Sequence, residues 1–122
     1  MTDSLYSRLG GYDAIATFAT MVVGNAQDDD LLGRFWANRN EDSNARDLQS
    51  LIDYMVSQTG GQMYYRGRDM ALAHKGMSIN GADWMRFIDI VVGVAGELGV
   101  GEAEGAEVMA FLDSLKSEIV TA

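Results

Sequence analysis

Hydrophobic residues recur along most of the chain at steps of three and four, which is the period of one apolar helix face. Three such stretches cover residues 48–55, 82–98 and 108–119. A fourth stretch, near the N-terminus, has apolar residues at Ile15, Phe18, Ala19, Val22, Val23 and Ala26. No segment alternates with the two-residue period of a half-buried strand. The pattern predicts an all-α fold.

Glycine and small polar residues should mark the helix ends, because the chain contains 14 glycines and no proline. A short helix over 5–9 is predicted to begin after Asp3 or Ser4 and to end at Gly10 and Gly11. The sequence "TGG" at 59–61 ends the predicted helix over 48–55. The polar run at 38–44 is interpreted as a solvated loop in which Ser43 or Asn44 caps the following helix.

The stretch 82–98 has the most apolar pattern in the chain. Asn80 is predicted to cap this helix, with Asp83 three residues later. Little polar surface is left by its apolar residues, which are Trp84, Phe87, Ile88, Val91, Val92, Val94, Ala95 and Leu98. A helix of this kind is expected at the centre of the fold.

Length and composition narrow the class of protein. A chain of 122 residues is expected to form a single domain, 1–122. The formal charge of −9 argues against binding to nucleic acid or to an anionic membrane, since both require a basic face. Neither a secretory signal nor a run of about 20 apolar residues is visible, so a cytoplasmic location is the default expectation.

Several common chemistries lack their motifs. The chain has one histidine and no cysteine, which leaves no frame for Ser-His-Asp or Cys-His catalysis and none for cysteine-ligated zinc or iron–sulfur sites. The G-x-x-x-x-G-K-[ST] motif of a phosphate-binding loop is absent. The acidic run at 27–30 lacks the spaced ligand pattern of a calcium loop and is interpreted as a solvated turn.

The single histidine, His74, lies in the stretch "RDMALAHKGMSI" (68–79). Helical spacing puts Met70, His74 and Met77 on one stripe, so an inward-facing Met70 implies an inward-facing imidazole. Two readings stay open on the residues alone. A buried histidine with a hydrogen bond is the more common case, whereas a ligand role fits a cofactor that needs one protein ligand, as haem does.

Four segments, in this order and spacing, resemble the group I truncated haemoglobins. They are "SLYSRLGG" (4–11), "TGG" (59–61), "YRGRDMALAHKGMSI" (65–79) and "ELGV" (97–100), and the likeness extends from Ser4 to about Val120. The resemblance implies a truncated globin fold, a two-over-two helical sandwich around haem b (iron protoporphyrin IX). It also implies that His74 is the proximal iron ligand.

The resemblance further assigns pocket positions. On the proximal and central side these are Met70, Ala73, Ile79, Trp84 and Phe87. Phe35 or Trp36 would be the aromatic residue against the porphyrin, and Tyr65 and Arg68 lie where propionate contacts are expected. For Arg68 the alternative is a solvated surface charge, and for Trp84 it is core packing.

The sequence departs from the family on the distal side. Val23 occupies the position where the family usually has Tyr. Asp47 and Leu51 occupy the two distal-helix positions, at one or both of which the family often has Gln. Leu48 and Met55 are the other predicted pocket residues of this helix. Loss of a hydrogen bond to bound oxygen costs about 1–3 kcal/mol, or about tenfold to a hundredfold in affinity.

Other side chains could replace the missing donor. The candidates are Trp36, Gln49, Tyr54 and Gln58, and for each of them a surface or core role is the alternative.

The leading hypothesis is a haem protein that binds a diatomic gas (oxygen, CO or NO) at five-coordinate iron in an unusually apolar distal pocket. Oxygen binding or transport, or nitric oxide dioxygenation with a reductase partner, follows from the resemblance alone. The competing hypothesis is a haem-free or haem-sensing helical domain that acts through protein–protein contact, for which the acidic charge could steer a basic partner.

Overall fold

The computed structural model describes residues 4–37, 39–61, 74 and 77–120. Its regular elements are all helical, as the hydrophobic period predicts. In chain order they are α1 (Leu5–Leu9), α2 (Tyr12–Asp28), a 3₁₀ helix (Gly33–Trp36), α3 (Glu41–Gln58), α4 (Gly81–Glu97) and α5 (Glu102–Ile119).

The N-terminal helix α1 begins and ends at the predicted kind of residue. The Ser4 hydroxyl accepts a hydrogen bond from the backbone N–H of Ser7 over 3.2 Å. Gly10 ends the helix in the left-handed conformation (φ 110°), which glycine adopts without a Cβ penalty. The backbone N–H of Tyr6 donates to the carbonyl of Thr59 over 2.8 Å, so α1 is joined to the end of α3.

The start of α3 differs from the predicted solvated loop over 38–44. The helix begins at Glu41, and its cap is Asn40, whose side chain accepts the N–H of Ser43 over 2.8 Å. Glu41 and Asp42 lie in the first turn, where the exposed N–H groups favour negative charge. The prediction of a Ser43 or Asn44 cap was therefore wrong, because an acidic first turn was taken for a loop.

The capping box of α4 is confirmed. The backbone N–H of Asp83 donates to the Asn80 side chain over 2.8 Å, and the N–H of Asn80 donates to the Asp83 carboxylate over 3.1 Å. The helix is less central than predicted. Its inner face is buried, but Met85 is 67% exposed and Val92 is 55% exposed.

Two helix pairs form the core. Helix α2 packs against α3 and α4, and α4 also contacts α5, so α2 and α3 form one layer and α4 and α5 the other. Ile15 and Ala19 of α2 pack against Ile52 and Val56 of α3, whereas Val22 of the same helix packs against α4. In the part of the chain that the structure describes, every helix is too short or too polar to cross a bilayer.

Candidate functional site: an apolar cavity that contains His74

A cavity of about 230 Å³ is bordered by α2, the 3₁₀ helix, α3, α4, α5 and the segment around His74. Nine of the fourteen predicted pocket residues line this cavity. They are Val23, Phe35, Trp36, Leu51, Met55, His74, Ile79, Trp84 and Phe87. Residues from distant parts of the sequence, 23 to 87, thus meet around one space.

Of the other five predicted pocket residues, the structure describes one, Leu48, and it does not line this cavity. Leu48 packs instead against the neighbouring cluster that includes Ile15 and Ile52. The remaining four predictions, Tyr65, Arg68, Met70 and Ala73, fall outside the described residues.

His74 has helical backbone conformation and is partly buried. Its carbonyl accepts the backbone N–H of Met77 over 3.2 Å, and both side chains line the cavity. The predicted stripe is therefore found for His74 and Met77. Beyond this turn, Ser78 has a positive φ of 55° and Ile79 is buried against the same wall.

Apolar and aromatic side chains form most of the cavity wall. Further residues of this kind, not singled out from the sequence, are Phe18, Ala19, Val22, Ala26, Leu32, Val91, Phe111, Leu112, Leu115 and Ile119. The apolar period of α2 and α5 shows which face of each helix is turned inward. It does not show whether that face packs against other side chains or lines a cavity. A wall of this composition excludes water and suits a large apolar ligand.

Asp83 is the one carboxylate among the described lining residues, and it is 1% exposed. Arg34 donates to both of its oxygens, over 2.8 and 2.7 Å, and the N–H of Asn80 donates to one of them. The bonds from Arg34 hold the pKa of the Asp83 carboxyl below its usual range, although burial acts in the opposite direction. The carboxylate is thus charged and already bonded by the protein.

The described part of the cavity wall does not carry the ligand set of a metal held by protein side chains alone. Within residues 4–37, 39–61, 74 and 77–120, no three His, Cys, Asp or Glu side chains come together as a metal site. One imidazole on an apolar and aromatic wall fits a cofactor that brings its other metal ligands with it. Haem is such a cofactor.

Two of the four possible substitute donors line the cavity, Trp36 and Tyr54. The Tyr54 ring also packs against Phe111, with ring centroids 6.0 Å apart. Gln58 is exposed, and the Gln49 amide is bonded at the surface of the fold.

Asp47 and Leu51 are the two predicted distal positions on α3. Asp47 forms an ion pair with Arg39, and its side chain is 54% exposed. Leu51 lines the cavity. The structure therefore assigns Leu51, and not Asp47, to the cavity side of the helix.

The acidic run at 27–30 begins in the last turn of α2, which ends at Asp28, and continues into a turn held by the Asp29 side chain. One oxygen of Asp29 accepts the backbone N–H groups of Leu31 and Leu32 over 2.9 and 3.0 Å, and the other accepts Arg86 over 3.0 Å. The backbone bonds, the one from Leu32 above all, hold the pKa of Asp29 below its usual range. Arg86 adds to this effect.

A second, larger groove of about 560 Å³ lies beside α1 and the turn between α4 and α5. Phe18, Met55 and Val91 border both spaces. The sequence pattern gave no indication of this groove, because its glycines and alanines were interpreted as helix ends and core.

Comparison with known proteins finds relatives by sequence and by structure, but no family profile. No established family profile matches the chain. The group 1 truncated haemoglobin of Tetrahymena thermophila is 27% identical over 99 residues, which is 81% of this chain and 79% of the relative. Its counterpart in Tetrahymena pyriformis is 26% identical over 100 residues, covering 82% and 80% of the two chains.

The fold matches solved structures over almost its whole length. The crystal structure of the Tetrahymena pyriformis truncated haemoglobin in its Fe(III) form superposes with a TM-score of 0.88 at 22% identity, covering 98% of this chain and 100% of the other. The 2/2 haemoglobin of Synechococcus, solved in the cyanomet state with covalently attached haem, gives a TM-score of 0.85 at 24% identity, with coverage of 97% and 98%. The chain therefore has the two-over-two fold of the truncated haemoglobins and resembles group 1 of that family in sequence.

Proposed function

We propose that the chain is a haem-binding globin that holds haem b in the cavity around His74 and binds a diatomic gas at the iron. The observation that carries the proposal is the position of the single imidazole on a wall that, apart from the paired carboxylate of Asp83, is mainly apolar and aromatic. Haem in the related Synechococcus structure supports the choice of cofactor. Bound haem would supply an iron atom with an open coordination position for the gas.

The residues of this chain have separable roles in the proposal. His74 would be the proximal ligand. The aromatic side chains of Phe35, Trp36, Trp84 and Phe87 would offer flat apolar surfaces and exclude water. Ile79 and Met55 complete the apolar contact, and Met70, Ala73, Tyr65 and Arg68 stay predictions from the resemblance.

The side of the cavity formed by Val23 and Leu51 is where we propose that the gas binds. Neither side chain can donate a hydrogen bond, so oxygen would be held weakly and the iron would oxidise readily in air. Carbon monoxide would be affected less, because it carries less negative charge when bound. Apart from His74, the described lining residues that carry a side-chain donor group are Trp36, Tyr54 and Trp84.

Oxygen transport and nitric oxide dioxygenation are narrower proposals that rest on analogy with the family. Turnover of nitric oxide would require a reductase to return the iron to its ferrous form. The cytoplasmic location, likewise, stays a prediction from the sequence.

Titration of the purified protein with hemin tests the proposal. We expect a Soret band that saturates at one haem per chain, and a ferrous spectrum typical of five-coordinate, histidine-ligated iron. His74→Gly should lose that ferrous spectrum and regain it when imidazole is added, while Met77→Ala on the same wall should keep it. Failure to take up hemin would favour a haem-free domain that acts through protein contact, and an unchanged ferrous spectrum in His74→Gly would exclude the proximal assignment.

A further inference from the structure

Two ion pairs join the segment 29–36 to the first two turns of α4. Arg34, on the 3₁₀ helix, binds Asp83 of α4. Arg86 of α4 reaches back to Asp29, with 3.0 Å between Nη1 and Oδ1. The positive and negative partners are exchanged between the two pairs, so each element contributes one arginine and one aspartate.

Arg34 makes three kinds of contact. It donates to both oxygens of Asp83, it donates to the carbonyl of Leu31 in its own segment, and its guanidinium lies 4.3 Å from the centroid of the Phe35 ring. The Arg34 side chain is 47% exposed, whereas that of Asp83 is 1% exposed and lines the cavity. The pair therefore extends from the solvent to the cavity wall.

Each of the two elements joined in this way carries part of the cavity wall. Phe35 and Trp36 follow Arg34 directly on the 3₁₀ helix, and Trp84 follows Asp83 directly on α4. A four-residue 3₁₀ helix has few backbone hydrogen bonds of its own, so its position depends on side-chain contacts with its neighbours. Loss of the Arg34 bonds would also leave a carboxylate at a buried position without its cation.

We propose that Arg34 is a positioning residue, whose bonds to Asp83 hold Phe35 and Trp36 against α4 and so determine how firmly the cavity retains haem. The second half of this statement rests on the proposed haem-binding function, while the first half concerns the protein alone. Lysine should be a poor substitute, because Arg34 bonds Asp83 through one guanidinium nitrogen and the Leu31 carbonyl through the other, and a single ammonium cannot hold both positions.

The position of the aromatic segment can be tested without haem. The chain has two tryptophans, Trp36 and Trp84, so Trp84→Phe leaves Trp36 as the only indole emitter. In this background of the full-length protein we expect Arg34→Met and Asp83→Asn to increase the quenching of Trp36 by acrylamide. Arg39→Met is the matched control. It removes the same charge from a nearby arginine, but that arginine pairs with Asp47 on α3 and not with α4.

Haem retention is tested by the rate of haem transfer from the ferric protein to an excess of an apo-globin acceptor. Arg34→Met should release haem about tenfold faster, and Arg34→Lys should fall between it and the parent. Arg8→Met removes an arginine that joins α1 to Glu107 of α5, away from the cavity, and should leave the rate near that of the parent. A double-mutant cycle with Asp83→Asn should show that the two single effects do not add.

The outcomes separate the two proposals. If the parent does not bind hemin, the haem-binding function fails, and Trp36 quenching alone decides the role of Arg34. Quenching that is equal in Arg34→Met and Arg39→Met would overturn the positioning role. Where haem does bind, an unchanged transfer rate in Arg34→Met would overturn the positioning role as well. An equal increase in Arg8→Met would also overturn it, since a general loss of stability would then explain the faster transfer.

Discussion

The side-chain amide of Gln49 donates a hydrogen bond to the hydroxyl of Tyr12 over 2.9 Å, and so joins α3 to α2 at the surface of the fold. The same amide also donates to the carboxylate of Asp53 over 2.9 Å. A glutamine that the sequence offered as a possible donor to bound gas is thus used in helix packing.

Gln49→Leu should therefore leave gas binding almost unchanged. Oxygen and carbon monoxide affinities are expected to stay within about twofold of the parent, because surface substitutions of this kind change free energies by about 0.5 kcal/mol or less. Flash photolysis of the ferrous carbon monoxide complex measures the rates. Tyr12→Phe is the matched control for loss of the helix contact, and a tenfold change in Gln49→Leu alone would contradict the assignment.

Val23→Tyr should strengthen oxygen binding by about tenfold to a hundredfold, because it replaces an apolar lining side chain with a phenolic donor. The oxygen dissociation rate and the lifetime of the oxy spectrum in air give the measurement. Val23→Phe adds the ring without the hydroxyl and should bring no such gain. A parent protein that already shows long-lived oxy bands would contradict the apolar distal side and direct attention to Tyr54.

Gly61→Ala should destabilise the protein by about 1–3 kcal/mol, the usual cost of overpacking. A Cβ at this position would lie 2.5 Å from a methyl carbon of Val56 and 2.9 Å from the ring of Tyr6. Urea unfolding followed by circular dichroism measures the loss.

Gly93→Ala is the control for that experiment. Gly93 lies inside α4 with open space around its Cα, so alanine there should raise the free energy of unfolding by about 0.5–1 kcal/mol. A destabilised Gly93→Ala together with a neutral Gly61→Ala would contradict the close contact of Gly61 with Val56 and Tyr6.

The stability of the protein should depend on Asp83 at acid pH. Its pKa is lowered in the folded state by Arg34, so the stabilisation is complete above the pKa of the unfolded chain, about 4, and is lost as the pH falls through the lower folded value. Unfolding free energies measured between pH 7 and pH 3 should fall less steeply for Asp83→Asn than for the parent. Arg34→Met should also flatten the curve, since it removes the cause of the shift, and equal slopes in all three proteins would refute this account.

Local signals in the sequence were sufficient for most of the helix ends. Ser4, Gly10 and Asn80 act within a few residues of their own positions, and all three were identified. Asn40 was missed because Glu41 to Asn44 is polar enough to be taken for a loop, although acidic residues also favour a first helical turn. The exposed face of α4 could not be anticipated, because hydropathy shows how apolar a helix is and not how many neighbours cover it.

For the cavity, too, residues could be predicted where the signal lies within one segment and not where it depends on a contact between distant segments. Val23, Leu51 and His74 could be assigned by spacing within their own segments together with the resemblance. Arg34 could not, because its partner Asp83 is 49 positions away, and nothing near either residue indicates the pair. Asp83 was predicted only as the residue that completes the capping signal of Asn80, which is correct but leaves out its bonds with Arg34.

The presence of a single imidazole in the whole chain makes the site unusually easy to observe. Isotopic labelling of histidine alone would introduce one labelled ring, and that ring lies on the cavity wall. Every change in its magnetic resonance signal, whether from a cofactor, a gas or a substitution elsewhere, would then report on His74 without any need for resonance assignment.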